Sequence, residues 1–139
     1  LSLQAFPKPL GIKRSKRKMN KVILVADDSP TIRKFVSISL KVKGYEIIQV
    51  ADGMQALEVL PSEQIDLVIT DLNMPNIDGF ELIKTIRSNE DYREIPIIIL
   101  SSLSGNEDIE KGMQCGADSY LLKPFDSKRV LYEVSKFLN

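Results

Sequence analysis

The sequence predicts an α/β fold, a doubly wound (βα)5 arrangement around a five-stranded parallel sheet of order 2-1-3-4-5. Short apolar runs of strand length alternate with segments whose apolar residues recur at helical spacing. Such alternation is typical of a parallel sheet that is covered on both faces by helices in right-handed crossovers. With five strands, 2-1-3-4-5 is the common order. The length of 139 residues fits one domain with a substantial core.

Each element is assigned from its own pattern. The strands are predicted at residues 22–26, 45–50, 67–71, 97–100 and 120–122, and a helix follows each one. Ser29 and Pro30 are typical of a helix start, since serine caps the first turn and proline suits the first helical position. In the second helix, Met54, Leu57 and Leu60 are expected to face the core.

The net charge of zero conceals an uneven distribution. Residues 1–19 hold six of the 19 Lys and Arg residues and none of the 19 acids, so a +6 segment precedes a −6 segment. We predict that residues 1–19 form a basic tail or linker outside a folded domain of residues 20–139. Three readings of this tail stay open: contact with nucleic acid or another anionic surface, an interdomain linker, or residues that precede a start at Met19.

Composition excludes several kinds of chemistry. The chain has no histidine, so no histidine can ligate a metal, act as a general base or carry a phosphoryl group. The one cysteine, Cys115, excludes an internal disulfide, disfavours zinc and suits a reducing cytosol. We expect Cys115 to be a small buried side chain near a helix end. The longest apolar run, 95–100, is too short for a membrane span, so a cytoplasmic protein without membrane contact is expected.

Polar residues stand at the ends of the predicted strands that the sheet order brings together. Asp27 and Asp28 follow strand one, and Asp71 ends strand three, its neighbour at the crevice where such sheets bind ligands. Three crowded carboxylates repel one another unless a cation joins them, and oxygen ligands suit Mg²⁺. Ser101 and Lys123 end strands four and five. The set fits phosphoryl transfer to a carboxylate, although each residue alone also fits a helix cap, a loop hydroxyl or a surface ion pair.

Four segments together resemble the receiver domain of two-component response regulators, a flavodoxin-like family. They are Ala26-Asp27-Asp28-Ser29, Asp71-Leu72-Asn73-Met74-Pro75 with Asp78-Gly79, the hydroxyl of Ser101, and Lys123-Pro124-Phe125. The resemblance covers residues 20–139, and short receivers of the chemotaxis-regulator type are the most similar in length.

The resemblance implies a chemical role for each matched residue. Asp71 would accept a phosphoryl group from a histidine kinase or phosphotransfer protein. Asp27 or Asp28, Asp71 and the backbone carbonyl of Asn73 would hold Mg²⁺, and Lys123 would pair with the phosphoryl oxygens. The chain would act in signalling rather than as an enzyme with a separate substrate.

It also implies a switch. Ser101 would hydrogen-bond the acyl phosphate and Tyr120 would change rotamer, so that the fourth helix, fifth strand and fifth helix change what they bind. The output would be a downstream effector protein or domain, with a phosphorylation-linked dimer as a further partner and no direct nucleic acid binding by the domain. Pro124 is a candidate for a cis peptide bond. Leu103 is expected to restrict the attacking water and lengthen the phosphorylated lifetime.

Two other functions compete with this reading. A phosphatase of the haloacid dehalogenase type also uses a strand-end aspartate and Mg²⁺, but it normally needs an acid where Asn73 stands and a cap domain. A phosphorylation-independent pseudo-receiver would usually lose the acid pair, the acceptor or the lysine, all of which this sequence keeps.

Overall fold

The computed structural model describes residues 20–102 and 106–138. Within these residues, five parallel strands form one sheet of order β2-β1-β3-β4-β5. They are β1 Val22–Ala26, β2 Glu46–Val50, β3 Leu67–Asp71, β4 Ile97–Ser101 and β5 Ser119–Leu122. The predicted fold class and strand order are confirmed. The predicted basic tail at residues 1–19 and the expectation for Leu103 lie outside the described residues.

A helix follows each strand of the sheet. The helices are α1 Pro30–Lys41, α2 Gly53–Val59, α3 Gly79–Ser88, α4 Asn106–Cys115 and α5 Ser127–Ser135. Ser29 caps α1, as the sequence predicts, and its hydroxyl accepts a hydrogen bond from Ile32 N. Three aspartates, Asp52, Asp78 and Asp126, cap α2, α3 and α5 in the same way. These caps fix where the chain turns from the carboxyl edge of the sheet into each helix.

Helices cover the sheet on both faces. All residues of β1, β3 and β4 are buried, which explains their continuous apolar runs. On one face, residues such as Ile23 and Ile69 pack against α1 and α5. On the other, residues such as Leu24 and Val68 pack against α2 and α3. No helix in the described part of the chain is long and apolar enough to cross a membrane.

The predicted inner face of α2 is partly wrong. Met54 is 47% exposed, whereas Ala56 is fully buried and Leu60, the C-cap residue, is 3% exposed. The start of α2 is fixed against another loop, because Gly53 N donates to the carbonyl oxygen of Ile77 at 3.1 Å. This contact turns α2 so that residues 53, 56 and 60 face the core, and Met54 points outward.

Helix α4 approaches the sheet most closely at a glycine. Gly112 is its only fully buried residue, and a Cβ added there would meet the side chain of Ile99. Met113 and Cys115 are partly buried and pack against the same core. Cys115 is the last residue of α4, near a helix end as expected, but it is partly buried rather than buried.

One arginine joins α3 to the segment that precedes β4 and to the turn that precedes β5. Arg87, in α3, donates a hydrogen bond from Nε to the carbonyl oxygen of Gly116 at 2.8 Å. Its Nη1 donates to the carbonyl oxygens of Arg93 at 2.9 Å and Ile95 at 2.7 Å. Its Nη2 forms an ion pair with Asp118 at 2.8 Å. These bonds fix the connection into β4 and the turn that leads from α4 into β5.

Candidate functional site

Three carboxylates meet at the carboxyl edge of the sheet. Ligand oxygens of Asp27, Asp28 and Asp71 all lie within 4.8 Å of one another. The register of β1 and β3, with Ala26 opposite Thr70, places the ends of the two strands side by side. Asp27 is completely buried and Asp71 is 8% exposed, while Asp28 is exposed to solvent. The cluster is therefore open on one side, and its oxygens form a set that is compatible with a metal site.

The backbone around the cluster holds these carboxylates in place. Asp27 Oδ1 accepts a hydrogen bond from Ser29 N at 2.8 Å, and Asp71 Oδ1 accepts one from Leu72 N at 2.8 Å. Arg33 Nη1 donates to the carbonyl oxygen of Asp27 at 2.6 Å. Sequence reasoning missed Arg33. Its position four residues after the Ser29 cap, one helical turn on, is the signal that places it over this loop.

Lys123 brings a positive charge to the two buried acids. Its Nζ lies 3.3 Å from Asp27 Oδ2 and 3.5 Å from Asp71 Oδ1. The backbone places it there, because Lys123 N donates to the carbonyl oxygen of Ser101 at 2.7 Å where β5 leaves the sheet beside β4. The peptide bond from Lys123 to Pro124 is cis.

The electrostatic environment disfavours the ionised form of Asp71. Burial raises its pKa above the ordinary carboxyl value, and the charge of Asp27 raises it further. Lys123 and the backbone N–H groups of Leu72 and Asn73 oppose these effects without cancelling them. An added cation beside Asp71 would therefore relieve an unfavourable charge.

The remaining predicted residues, Ser101, Asn73 and Tyr120, differ in burial and are not all joined to this cluster. Ser101 is 6% exposed, and its hydroxyl donates to the carbonyl oxygen of Ser102 at 3.2 Å. Asn73 is exposed, and its backbone N–H acts against the rise in the pKa of Asp71. Tyr120 lies on β5 opposite Ile99 and is 41% exposed, so its ring is on the surface.

Gly79 has a steric role that sequence reasoning did not assign. The sequence indicated only that a helix begins there. In the structure, a Cβ on Gly79 would collide with the carbonyl oxygen of Asp71 and lie 2.7 Å from the Cα of Leu72. Gly79 therefore lets the first turn of α3 approach the end of β3, where the central carboxylate stands.

The family model described as response regulator receiver domain matches residues 23–135. The chain belongs to this family. The resemblance found in the sequence is thereby confirmed. Receiver domains act in two-component signalling, where they pair with histidine kinases and effector domains. The acidic cluster of Asp27, Asp28 and Asp71 fits the phosphorylation site of such a domain.

Relatives of this receiver domain include both regulators and sensors. The DNA-binding dual master transcriptional regulator RpaA of Synechocystis sp. is 38% identical over 116 residues, which are 84% of this chain and 48% of the regulator. The sensor protein EvgS of Escherichia coli O157:H7 is 42% identical over 102 residues, which are 73% of this chain and 8% of the sensor. The chain thus spans about half the length of the first relative and a small part of the second.

Solved receiver domains have the same architecture. The chemotaxis response regulator CheY4 of Vibrio cholerae matches with a TM-score of 0.80 and 35% identity over 86% of this chain and 99% of that one. The receiver domain of a sensor histidine kinase of Pseudomonas aeruginosa PAO1 matches with a TM-score of 0.78 and 30% identity, covering 85% of this chain and 97% of that one. That Pseudomonas structure has a magnesium ion coordinated in its active site cleft.

Proposed function

We propose that Asp71 accepts a phosphoryl group from a phosphohistidine of a partner histidine kinase or phosphotransfer protein. An Asp71 carboxylate oxygen attacks phosphorus and forms the new P–O bond, while the P–N bond to the partner imidazole breaks and that imidazole takes up a proton. The donor histidine lies outside these 139 residues, because they contain none.

The observation that carries this proposal is the position of Lys123 between the two buried acids. Its Nζ is within 3.3 Å of Asp27 and 3.5 Å of Asp71, so it can neutralise charge on phosphoryl oxygens attached to Asp71. The raised pKa of Asp71 also fits a nucleophile that gains from a neighbouring cation.

A hard divalent cation fits the three carboxylates, and we propose Mg²⁺. Asp27, Asp28 and Asp71, together with the backbone carbonyl of Asn73, would hold it and leave coordination positions for water and phosphoryl oxygen. When bound, the ion would offset the negative charge that collects on the transferring oxygens. The donor set supports this choice, since it contains oxygen alone and its repulsion raises the pKa of Asp71.

Phosphorylation would act on the domain through Ser101 and Lys123. The Ser101 hydroxyl now donates to a backbone carbonyl at 3.2 Å, a long bond that it can exchange for one to a phosphoryl oxygen. Movement at Ser101 and Lys123 would reach the surface formed by α4, β5 and α5, with a rotamer change at Tyr120. Binding of an effector protein or domain, and a phosphorylation-linked dimer, would follow from the altered surface.

A partner that delivers the phosphoryl group must approach beside Lys123. A pocket of about 200 Å³ opens there between α1 and the segment that follows β5. It is lined by Thr31, Ile32, Phe35, Lys123, Pro124 and Phe125. We propose that this pocket and the exposed carboxylate of Asp28 face the donor.

Residues 1–19 carry six basic residues and no acid. We propose that they form a basic tail or linker outside the domain of residues 20–139.

Intact mass spectrometry after incubation with acetyl phosphate and MgCl₂ tests the proposal. We expect one added phosphoryl group on the wild-type chain and none on Asp71→Asn. Asp91→Asn serves as the matched control, because it makes the same chemical change at an exposed loop position. An Asp71→Asn chain that still gains the phosphoryl group, or a wild-type chain that never gains it, would refute the assignment.

A further inference from the structure

The loop between β3 and α3, residues 72–78, buries Leu72 and Met74 in the core and makes further contacts at its two ends. At its base, Gly79 N donates to the carbonyl oxygen of Leu72 at 2.9 Å, which closes the loop on itself. Its far end lies against the start of α2, an element that comes earlier in the chain and bears none of the residues assigned to the site.

Asp52 makes the first of the contacts at that far end. Its carboxylate uses both oxygens, as Oδ1 accepts from Gln55 N at 2.8 Å and Oδ2 accepts from Asn76 Nδ2 at 2.7 Å. The residue is 7% exposed, so water competes little for either oxygen. The bond from Gln55, and after it the bond from Asn76, hold the pKa of Asp52 below its ordinary value. The carboxylate is thus ionised and fully engaged at neutral pH.

The next residue along the loop, Ile77, packs against the core and is also held through its backbone carbonyl. Gly53 N donates to the carbonyl oxygen of Ile77 at 3.1 Å, and a Cβ on Gly53 would collide with that carbonyl and with the Ile77 side chain. Asn76 itself has a φ of 69°, a conformation that favours glycine and asparagine. Residues 76 and 77 are therefore fixed against residues 52 and 53 in a single defined arrangement.

The position of this loop matters for the chemistry at Asp71. Leu72 N, at the start of the loop, donates to Asp71 Oδ1 at 2.8 Å, and the backbone N–H of Asn73 also acts against the rise in the pKa of Asp71. Only two residues separate Asn73 from Asn76, so a displacement at Asn76 moves the backbone that faces the carboxylate.

We infer that Asp52 and Asn76 are positioning residues for the phosphorylation site. Their hydrogen bond holds the Asn73 backbone in the position from which its N–H acts on Asp71 and its carbonyl oxygen binds the cation. This inference rests on the proposed function, in which the Asn73 carbonyl is a ligand of Mg²⁺. Groups that hydrogen-bond a metal ligand directly typically contribute about ten- to a hundredfold to metal affinity, so we expect a contribution at the lower end of this range from a bond three residues away from Asn73.

Asp52→Ser separates the loop contact from the helix cap. A serine hydroxyl can still cap α2 by accepting from Gln55 N, but it is shorter and has no second oxygen to reach Asn76. Calorimetric titration of the full chain with MgCl₂ alone should show about tenfold weaker binding for Asp52→Ser than for wild type. Asp126→Ser is the matched control, because Asp126 caps α5 through the same kind of bond without contacting the loop, and it should bind Mg²⁺ as wild type does.

Asn76→Gly gives a second, independent variant. Glycine tolerates a φ of 69°, so the backbone is kept while the Nδ2 donor is lost. It should weaken Mg²⁺ binding as much as Asp52→Ser does. The double variant should be no weaker than either single one, because both remove the same bond.

The possible results distinguish failure of this inference from failure of the proposed function. Wild type that binds Mg²⁺ while Asp52→Ser and Asn76→Gly bind it equally well would overturn the inference alone. Losses of Mg²⁺ affinity that add up in the double variant would also overturn the inference alone. Wild type that binds no Mg²⁺ would overturn the proposed function, and this inference with it.

Discussion

Replacing Gly79 with alanine should displace the end of β3 and lower both stability and phosphorylation. The new Cβ would stand 2.7 Å from Leu72 Cα, whereas ordinary contact begins at 3.4 Å, so the two backbones must separate by at least about 0.7 Å. The collision with the Asp71 carbonyl oxygen requires more. Neither atom belongs to a flexible side chain that could turn away, so the strain falls on the strand that carries the phosphoacceptor.

Two magnitudes follow from that displacement. Overpacking of this kind costs about 1–3 kcal/mol of unfolding free energy. Because misplacing a reacting group by about 1 Å can cost a hundredfold in rate, we expect phosphorylation by acetyl phosphate to slow by at least about tenfold. Urea unfolding followed by circular dichroism measures the first quantity, and the time course of intact mass measures the second.

Gly112→Ala provides the matched control for Gly79→Ala. The added methyl group meets the Cδ1 end of the Ile99 side chain, which can rotate, and alanine is favoured over glycine inside helix α4 by about 1 kcal/mol. We expect this variant to remain within about 1 kcal/mol of wild type and to be phosphorylated normally. The steric reasoning is refuted if Gly79→Ala unfolds at the same urea concentration as Gly112→Ala.

Three further predictions concern charge. The folded-state pKa of Asp71 is raised, so ionisation of Asp71 destabilises the fold as pH rises through that pKa. Asp71→Asn should therefore be more stable than wild type in metal-free neutral buffer, by a margin that shrinks as pH falls towards 3.8. Urea unfolding midpoints measured across this pH range check the prediction. Lys123→Met leaves Asp27 and Asp71 without the lysine charge and should lower metal-free stability by about 1–3 kcal/mol. Calorimetry should show tighter Mg²⁺ binding, because a competing positive charge is gone. Weaker Mg²⁺ binding would count against this reasoning. Arg87→Met removes bonds to three carbonyl oxygens and Asp118, and should lower stability by about 3 kcal/mol in urea unfolding without changing Mg²⁺ affinity.

The strand order and the acidic cluster could be predicted because both follow from local patterns joined by one topological rule. Apolar runs mark the buried strands, and parallel strands present their carboxyl ends at one edge of the sheet. Once β1 and β3 are neighbours, Asp27, Asp28 and Asp71 must come close together, although the last two are 43 positions apart in the sequence. The bounds of β1 are those predicted, while β2 begins one residue later and β4 ends one residue later than predicted.

The features that escaped prediction depend on contacts with no local pattern. The rotation of α2 is set by the contact between Gly53 and Ile77, so periodicity alone placed Met54 on the wrong side. The bond between Asp52 and Asn76 joins positions 24 residues apart in two polar loops. Either side chain, met in the sequence, is typical of an ordinary turn.

Among the five helices, α4 has the weakest hold on the sheet. Each of the others places at least two fully buried residues in the core, but α4 places one glycine there, and a glycine offers no side chain to interlock with the strand beneath it. Moving this helix therefore disturbs no fully buried side chain of its own, only the partly buried Met113 and Cys115, whereas its C-terminal end is tied to α3 through the turn held by Arg87. The proposed phosphorylation of Asp71 would therefore move α4 more readily than the other helices, by tilting it about the end that Arg87 holds.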